Sequence, residues 1–300
     1  MDALFHRNSI VPRFTIIACL ICIVVFIGLH SGGDLESWEH LSRWGYFPAI
    51  SVWTGKPWSL ITSVFVHIEI WHIAFNLYWL WILGNCLEDA IGPWKWLAFF
   101  LGSAWVSSAL QLWVDGDAGI GMSGVGYALF GFGWVARRKI VRFGEILDDH
   151  AVKTFVIWMV GCAIATQFGW INVANVAHGA GLLFGAAVAG VWVTKWKMPL
   201  SAVGLAALMA ASFVPLVWCP LSSDWTSHQA LEAQKKKDYP TALYWYQRTI
   251  DRDGDASWAL TNMAAIYSFQ GNTKAATETL AKLGELDGAT ADELESESSE

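Results

Sequence analysis

Charge is scarce in this chain. Only 15% of its 300 residues are Asp, Glu, Lys or Arg, against about 25% in an average soluble domain, which excludes an ordinary water-facing surface over most of its length. A basic surplus is missing too. The formal net charge is -7, and the lysine run Lys235–Lys237 reads as a solvated face, so no nucleic-acid partner is expected. Cysteine is sparse and unpatterned. Cys19, Cys22, Cys86, Cys162 and Cys219 lie inside or at the ends of apolar runs without paired Cys-x-x-Cys spacing; they read as small buried hydrophobes, with no disulfide framework or zinc cluster implied. From Glu285 onward no basic residue accompanies Glu285, Asp287, Asp292, Glu293, Glu295, Glu297 and Glu300. Residues 285–300 are therefore expected to form a solvated, disordered acidic tail.

What the chain has in excess is apolar. Hydrophobic residues make up 55% of it and the mean hydropathy is +0.39, values that point to a membrane protein. Runs long enough to cross a bilayer, which takes roughly 20 residues, lie near Phe14–Leu29, Ile70–Leu87, Trp94–Val114, Ile120–Ala136, Ala151–Phe168, Val173–Thr194 and Leu200–Leu221. This pattern predicts six helices and a seventh. The first run follows Arg7 and Arg13 but lacks a small-x-small cleavage site, so it reads as an uncleaved helix. Lys and Arg in the short connections (Arg7, Arg13, Lys95, Arg137, Arg138, Lys139, Arg142, Lys195 and Lys197) all fall on one side, which is the cytoplasmic one. A multi-pass protein of the plasma or inner membrane is expected, with its N-terminus cytoplasmic. Its C-terminal part lies outside if the seventh run crosses.

Two polar residues stand out in these runs. Ser123 and His178 each lie six residues beyond an outer-side turn, at Asp117 and Asn172, so at helical rise both side chains sit about 9 Å below the same surface. Ser123, Tyr127 and Gly131 share one helix face; His178, Gly181 and Gly185 share another. A glycine- and serine-rich face is ordinary packing glue between membrane helices. An intramembrane histidine is costly without a partner, however, and an imidazole facing a hydroxyl supplies the base that a serine nucleophile lacks. "HIEIWHIAFN" adds His67, His72 and Asn76, with His72 and Asn76 one turn apart. A side-chain amide, an imidazole N–H and a backbone N–H make a suitable donor set for an oxyanion. Metal binding through these histidines is the competing reading, disfavoured because their spacing does not fit the H-E-x-x-H motif and no carboxylate or cysteine sits at ligand spacing. Neither metal nor cofactor is expected. No third triad member is evident, because Asp115 and Asp117 belong to a surface loop. A Ser–His dyad with Tyr127 beneath the imidazole is the simplest arrangement. The surroundings of Ser123 also lack the last glycine of a G-x-S-x-G nucleophile elbow.

On these residues the chain resembles the rhomboid intramembrane serine proteases over roughly Trp58 to Gly190. "HIEIWHIAFN" is similar to the family's His-x4-His-x3-Asn signature, "GMSGVGYALFG" to Gly-x-Ser-Gly-x2-Tyr, and "AHGAGLLFG" to Ala-His-x2-Gly-x3-Gly; Gly84, Glu88 and Gly92 also fit its pattern. The resemblance implies a six-helix core, Ser123 as nucleophile, His178 as general base, and an oxyanion hole of His72, Asn76 and the Ser123 backbone N–H. Tyr127, His67, Gly121, Gly124, Gly181, Gly185 and Glu88 are the expected supporting residues. One departure is Ser59 after Trp58, where the family often carries Trp-Arg; it bears on the internal hydrogen bonding of the first outer loop and not on the chemistry. The implied partners are transmembrane protein substrates within the lipid bilayer. Two other readings are a catalytically silent rhomboid-like protein that binds membrane helices, and a transporter with a histidine proton relay. The retained serine and histidine weigh against the first, and the lack of mid-membrane carboxylates or broken helices against the second.

From about Ser223 the pattern turns soluble and amphipathic. At an offset of 34 residues Ala230 pairs with Ala264, Ala233 with Tyr267, Ala242 with Ala276 and Tyr246 with Leu280, which resembles two tetratricopeptide repeats broken near Gly254 and Gly271. A generic pair of helical hairpins is the alternative. A peptide or protein partner for this segment is a hypothesis. The expected organisation is all-α: an N-terminal segment 1–13, a polytopic membrane helix bundle 14–198 with a six-helix rhomboid core, a seventh helix 199–222, a small helical-repeat domain 223–284, and the tail 285–300.

Overall fold

The computed structural model describes residues 11–194, 198–252 and 256–297. Residues 1–10, which include Arg7, and Lys195, Lys197, Gly254 and Glu300 lie outside the described residues. The described residues are helical without strands, an all-α fold in two compact units, Met1–Trp218 and Cys219–Glu300.

The first unit contains α1 (Arg13–His30), three short helices α2 (Trp38–Arg43), α3 (Ile50–Trp53) and α4 (Ser59–Thr62), and α5 (Ile70–Trp79). A π-helical turn at Leu80–Gly84 continues α5 into α6 (Asn85–Ile91). Then come α7 (Pro93–Asp115), α8 (Ser123–Ala136), α9 (Val141–Ile146), α10 (Asp149–Gln167), α11 (Asn175–Trp192) and α12 (Met198–Phe213). Each apolar run of the sequence is helical here, with shifted ends. Among the described residues, α1, α7, α11 and the stretch Met198–Leu216 are long and apolar enough to cross a membrane, as is the bent pair Ser59–Phe65 and Ile70–Ile91 taken as one span. The fourth run differs most from expectation. Its helix starts at Ser123 and has 14 residues, about 21 Å of rise. A helix this short is tolerated because its residues from Phe130 to Gly133 are all buried; protein covers it where lipid would otherwise have to.

The outer faces of the bundle are apolar. On α1 the buried side is Thr15, Ala18, Cys22 and Leu29, while Leu20, Val24 and Ile27 are more than half exposed. Such a surface suits contact with lipid; together with the long apolar helices it makes the chain a multi-pass integral membrane protein.

Glu88, fully buried, has a defined structural task. Its Oε1 accepts from the Phe14 N–H (3.0 Å), and its Oε2 accepts from the Thr15 N–H (2.9 Å) and the Thr15 hydroxyl (2.7 Å). Pro12 precedes α1 with no side-chain cap of its own, so Glu88 satisfies orphan donors of a helix some 74 positions away and sets an acid at its positive end. Glu88→Ala is expected to destabilise the unit by about 2–3 kcal/mol, since buried donors lose their acceptor. Glu88→Gln, which keeps one acceptor oxygen, is expected to cost less. Denaturant titration in detergent measures both; an alanine variant as stable as wild type would refute this role.

α12 packs along α11 and α7. The Trp105 indole donates to Ser212 Oγ (3.1 Å), and the Trp53 indole donates to the Pro215 carbonyl (2.8 Å).

The second unit holds α13 (Ser223–Lys235), α14 (Tyr239–Ile250), α15 (Ala256–Phe269) and α16 (Thr273–Glu297), each packed on the next. Ala230, Ala233, Ala242, Tyr246, Ala264 and Ala276 are buried, whereas Leu280 is half exposed. Tyr246 sits on α14, between two neighbours; Leu280 sits on α16, packed within this unit against α15. α16 also runs past Glu285 to Glu297, where the sequence predicts a disordered tail. Ala289, Ala291, Glu293, Leu294 and Glu295 are strong helix formers and outweigh the clustered charge.

Candidate active site

The two polar residues of the apolar runs meet. Ser123 Oγ and His178 Nε2 are 2.8 Å apart, and His178 is 4% exposed. Six residues of helical rise from Asp117 and from Asn172, which the spacing predicts, are not what brings them together. Residues 116–122 are not helical and Ser123 is the first residue of α8, while His178 lies in the first turn of α11. Both helices simply begin at the same level. The free N–H groups and positive end of α8 therefore surround the serine.

Small residues make the meeting possible. A methyl group at Gly181 would lie 2.0 Å from the Gly124 carbonyl oxygen, and one at Gly185 would lie 1.8 Å from that of Ala128. The backbones of α8 and α11 touch along the line that ends at Ser123 and His178. Gly124 faces Ser107 Oγ in the same manner, at 2.6 Å from its missing methyl.

The imidazole of His178 is held by packing. Its ring lies 4.5 Å from the Tyr127 ring, tilted by 31°, and its Nδ1 has no hydrogen-bond partner among the described residues. Tyr127 in turn meets Phe155 and Phe130 edge-on.

On the other flank, the Met122 N–H donates to His67 Nε2 (3.2 Å), so His67 carries its proton on Nδ1 and donates it to the Phe65 carbonyl (3.1 Å). Both ring nitrogens of His67 are thus committed to backbone. His67 holds the residue before the serine. His72 Nε2 faces Gly121, 2.6 Å from where a Cβ would be, and Gly121 has φ +95°; only glycine meets both demands. The Gly121 N–H donates to the Ser63 carbonyl (3.2 Å). Asn76 is buried, and its Nδ2 donates to the His72 carbonyl (3.0 Å). That bond uses one of the two N–H groups of the amide and ties Asn76 to its own helix rather than to Ser123.

Sequence reasoning missed Gln111. Buried on α7, it accepts from the Ala177 N–H through Oε1 (3.0 Å) and donates through Nε2 to Asp115. It caps α11 one residue before His178. Its signal was available, an amide in an apolar run, but the partner is 66 positions away.

Chemically, the arrangement is an alcohol against an imidazole, at a helix N-terminus, with two more histidines and an amide along one flank. Comparison with known proteins gives the same direction. Residues 54–195 match the rhomboid domain family model. The rhomboid protease GlpG of Salmonella paratyphi A is 34% identical over 177 residues, covering 58% of this chain and 61% of that protein. GlpG of Salmonella typhi is 34% identical and that of Salmonella newport 33% over the same length. The chain thus spans 61% of the length of these relatives. Residues 54–195 are thus similar to the rhomboid domain and to these rhomboid proteases.

Proposed function

We propose that this protein is an intramembrane serine endopeptidase that cuts transmembrane helices of single-span membrane proteins near the outer membrane surface. The observation that carries the reading is the 2.8 Å approach of Ser123 Oγ to His178 Nε2 in a buried, close-packed helix pair.

In the proposed reaction neutral His178 takes the Ser123 proton as Oγ attacks the scissile carbonyl, then returns it to the leaving amine. The oxyanion is received by the Ser123 N–H and by His72 and Asn76. For Asn76 this requires its second N–H, or release of the first from the His72 carbonyl. Water then resolves the acyl-enzyme with His178 again as base. Among the described residues His178 Nδ1 has no partner, which is compatible with this scheme, since Tyr127 holds the imidazole plane where a carboxylate would otherwise do so.

Water is consumed, so the dyad end opens to an aqueous phase, taken as the outer one. Arg13, Lys95 and Arg137–Arg142 lie towards the other ends of their helices, in keeping with a cytoplasmic N-terminus. If α12 crosses as well, the second unit is outside. That unit is proposed to be a two-repeat tetratricopeptide-like module with a peptide or protein partner. A substrate helix must unwind before its carbonyl can be attacked, so helix-weakening residues near its outer end are the expected cleavage context.

The test is purified full-length protein in proteoliposomes with a fluorescent single-span substrate, beside Ser123→Ala. Cleavage near the outer end of the span by wild type alone is expected. Substrate that binds but is never cut would instead identify a silent helix-binding protein.

A further inference from the structure

The loop before Ser123 is intrinsically loose and yet must be placed to within a fraction of an ångström. Three of the residues 116–122 are glycines at positive φ: Gly116 (+82°), Gly119 (+70°) and Gly121 (+95°). Such a segment loses much conformational entropy on ordering. His67 and Ser63 fasten its last two residues. Its first half is fastened by something the catalytic scheme does not use.

Asp117 grips the loop from both sides. Its Oδ1 accepts from the Gly119 N–H (3.2 Å), and its Oδ2 accepts from the Tyr46 hydroxyl (3.1 Å). Tyr46 is a firm post. Its N–H donates to the Leu41 carbonyl (3.1 Å), its ring lies 5.2 Å from that of Trp38, and the carbonyl of its neighbour Gly45 accepts from Thr62 Oγ1 (2.6 Å). Ile120 of the glycine loop packs in the same apolar cluster as Tyr46 and Trp44, around Leu29, Leu41 and Val66. Burial, with Asp117 beside it, pushes the Tyr46 phenol well above its ordinary value, so it stays a donor at neutral pH. These contacts run between the loop after α1 and the loop that delivers the nucleophile.

We propose that Tyr46 and Asp117 are positioning residues for the nucleophile, clamping the glycine loop so that α8 begins with Ser123 against His178. Neither touches the reacting atoms. The proposal rests on the protease reading above and adds to it where the first loop exerts its effect. It also gives that loop a use that does not depend on an arginine after Trp58, because Tyr46 and Thr62 hold it to its neighbours instead.

The experiment compares wild type with Tyr46→Phe, Asp117→Ala, Asp117→Asn and the double variant Tyr46→Phe/Asp117→Ala, all full-length in detergent. Three readings are taken: the rate of Ser123 labelling by a fluorophosphonate, kcat and KM on a single-span substrate, and amide exchange of residues 116–122. Tyr46→Phe and Asp117→Ala are expected to lower both the labelling rate and kcat by about fivefold, the net worth of one ordinary solvent-exposed hydrogen bond, with KM within about twofold. Exchange at Gly119 should quicken. Asp117→Asn keeps one acceptor oxygen for the Gly119 N–H, while its Nδ2 can donate to the Tyr46 hydroxyl oxygen in place of the lost acceptor, and it should recover most of the rate. The double variant should be no worse than Asp117→Ala, because the two residues form one clamp. Wild-type labelling rates in the single variants, independent losses in the double variant, or a change confined to KM would each overturn the proposal while leaving the protease reading intact. A wild-type chain that neither labels nor cleaves would overturn that reading, and this proposal with it.

Discussion

His178→Ala is expected to lower kcat by about four orders of magnitude, with KM changed by less than about twofold. The reason is the role of the one atom that approaches Ser123 Oγ at 2.8 Å. Without Nε2 the serine is an ordinary alcohol whose proton has nowhere to go. Substrate binding is left nearly as it was, because the imidazole is enclosed by Tyr127 and 4% exposed. Ser123→Ala should fall to the same floor, and the double variant should go no lower, since the pair acts as a unit. Single-turnover cleavage in proteoliposomes measures this, with a thermal unfolding curve to show that the fold is kept. A His178→Ala enzyme retaining a tenth of wild-type kcat would mean another base.

The second large effect should come from one methyl group placed away from the chemistry. Gly181→Ala and Gly185→Ala would set a carbon 2.0 Å and 1.8 Å from backbone oxygens of α8. Carbon and carbonyl oxygen approach only to about 3.3 Å, and a backbone oxygen cannot rotate aside. α11 must then retreat from α8 by roughly 1 Å or more, which would break the contact between Ser123 and His178. A misplacement of about 1 Å costs about a hundredfold in rate, and overpacking costs about 1–3 kcal/mol in stability. Gly179→Ala is the control, on the same helix with nothing within 4 Å of its added carbon. Losses near a hundredfold in kcat for Gly181→Ala and Gly185→Ala, beside a normal Gly179→Ala, are the expected result. Three equivalent variants would contradict the close-packing account.

How far the site could be read in advance depended on the kind of signal. Ser123 and His178 were visible because polar groups in apolar runs demand an explanation, and Gly181 and Gly185 because their spacing puts them on the face of His178. That Ser123 and His178 could meet was legible, but the way they are brought together was not. Gly116, Gly119 and Gly121 weaken any helix over residues 116–122, but where α8 begins is set by Gly121 wedged against His72 and by Met122 bonded to His67, both non-local contacts. The task of Glu88 was hidden for the same reason, since its partners Phe14 and Thr15 are distant in the chain. Gln111 and Tyr46 carried too weak a signal to single out, one amide in a long apolar run and one aromatic in a loop rich in them. Helix positions were readable from apolar length; helix ends were not, as α8 and α16 both show, because ends depend on caps and neighbours rather than on hydropathy.

The central claim is that Ser123 is a nucleophile activated by His178. It is tested most directly by treating the full-length protein with a fluorophosphonate and locating the adduct by peptide mass spectrometry. A single adduct on Ser123 in wild type, and none in His178→Ala under the same exposure, is the result this account predicts. An adduct on another serine, or equal labelling with and without His178, would contradict it.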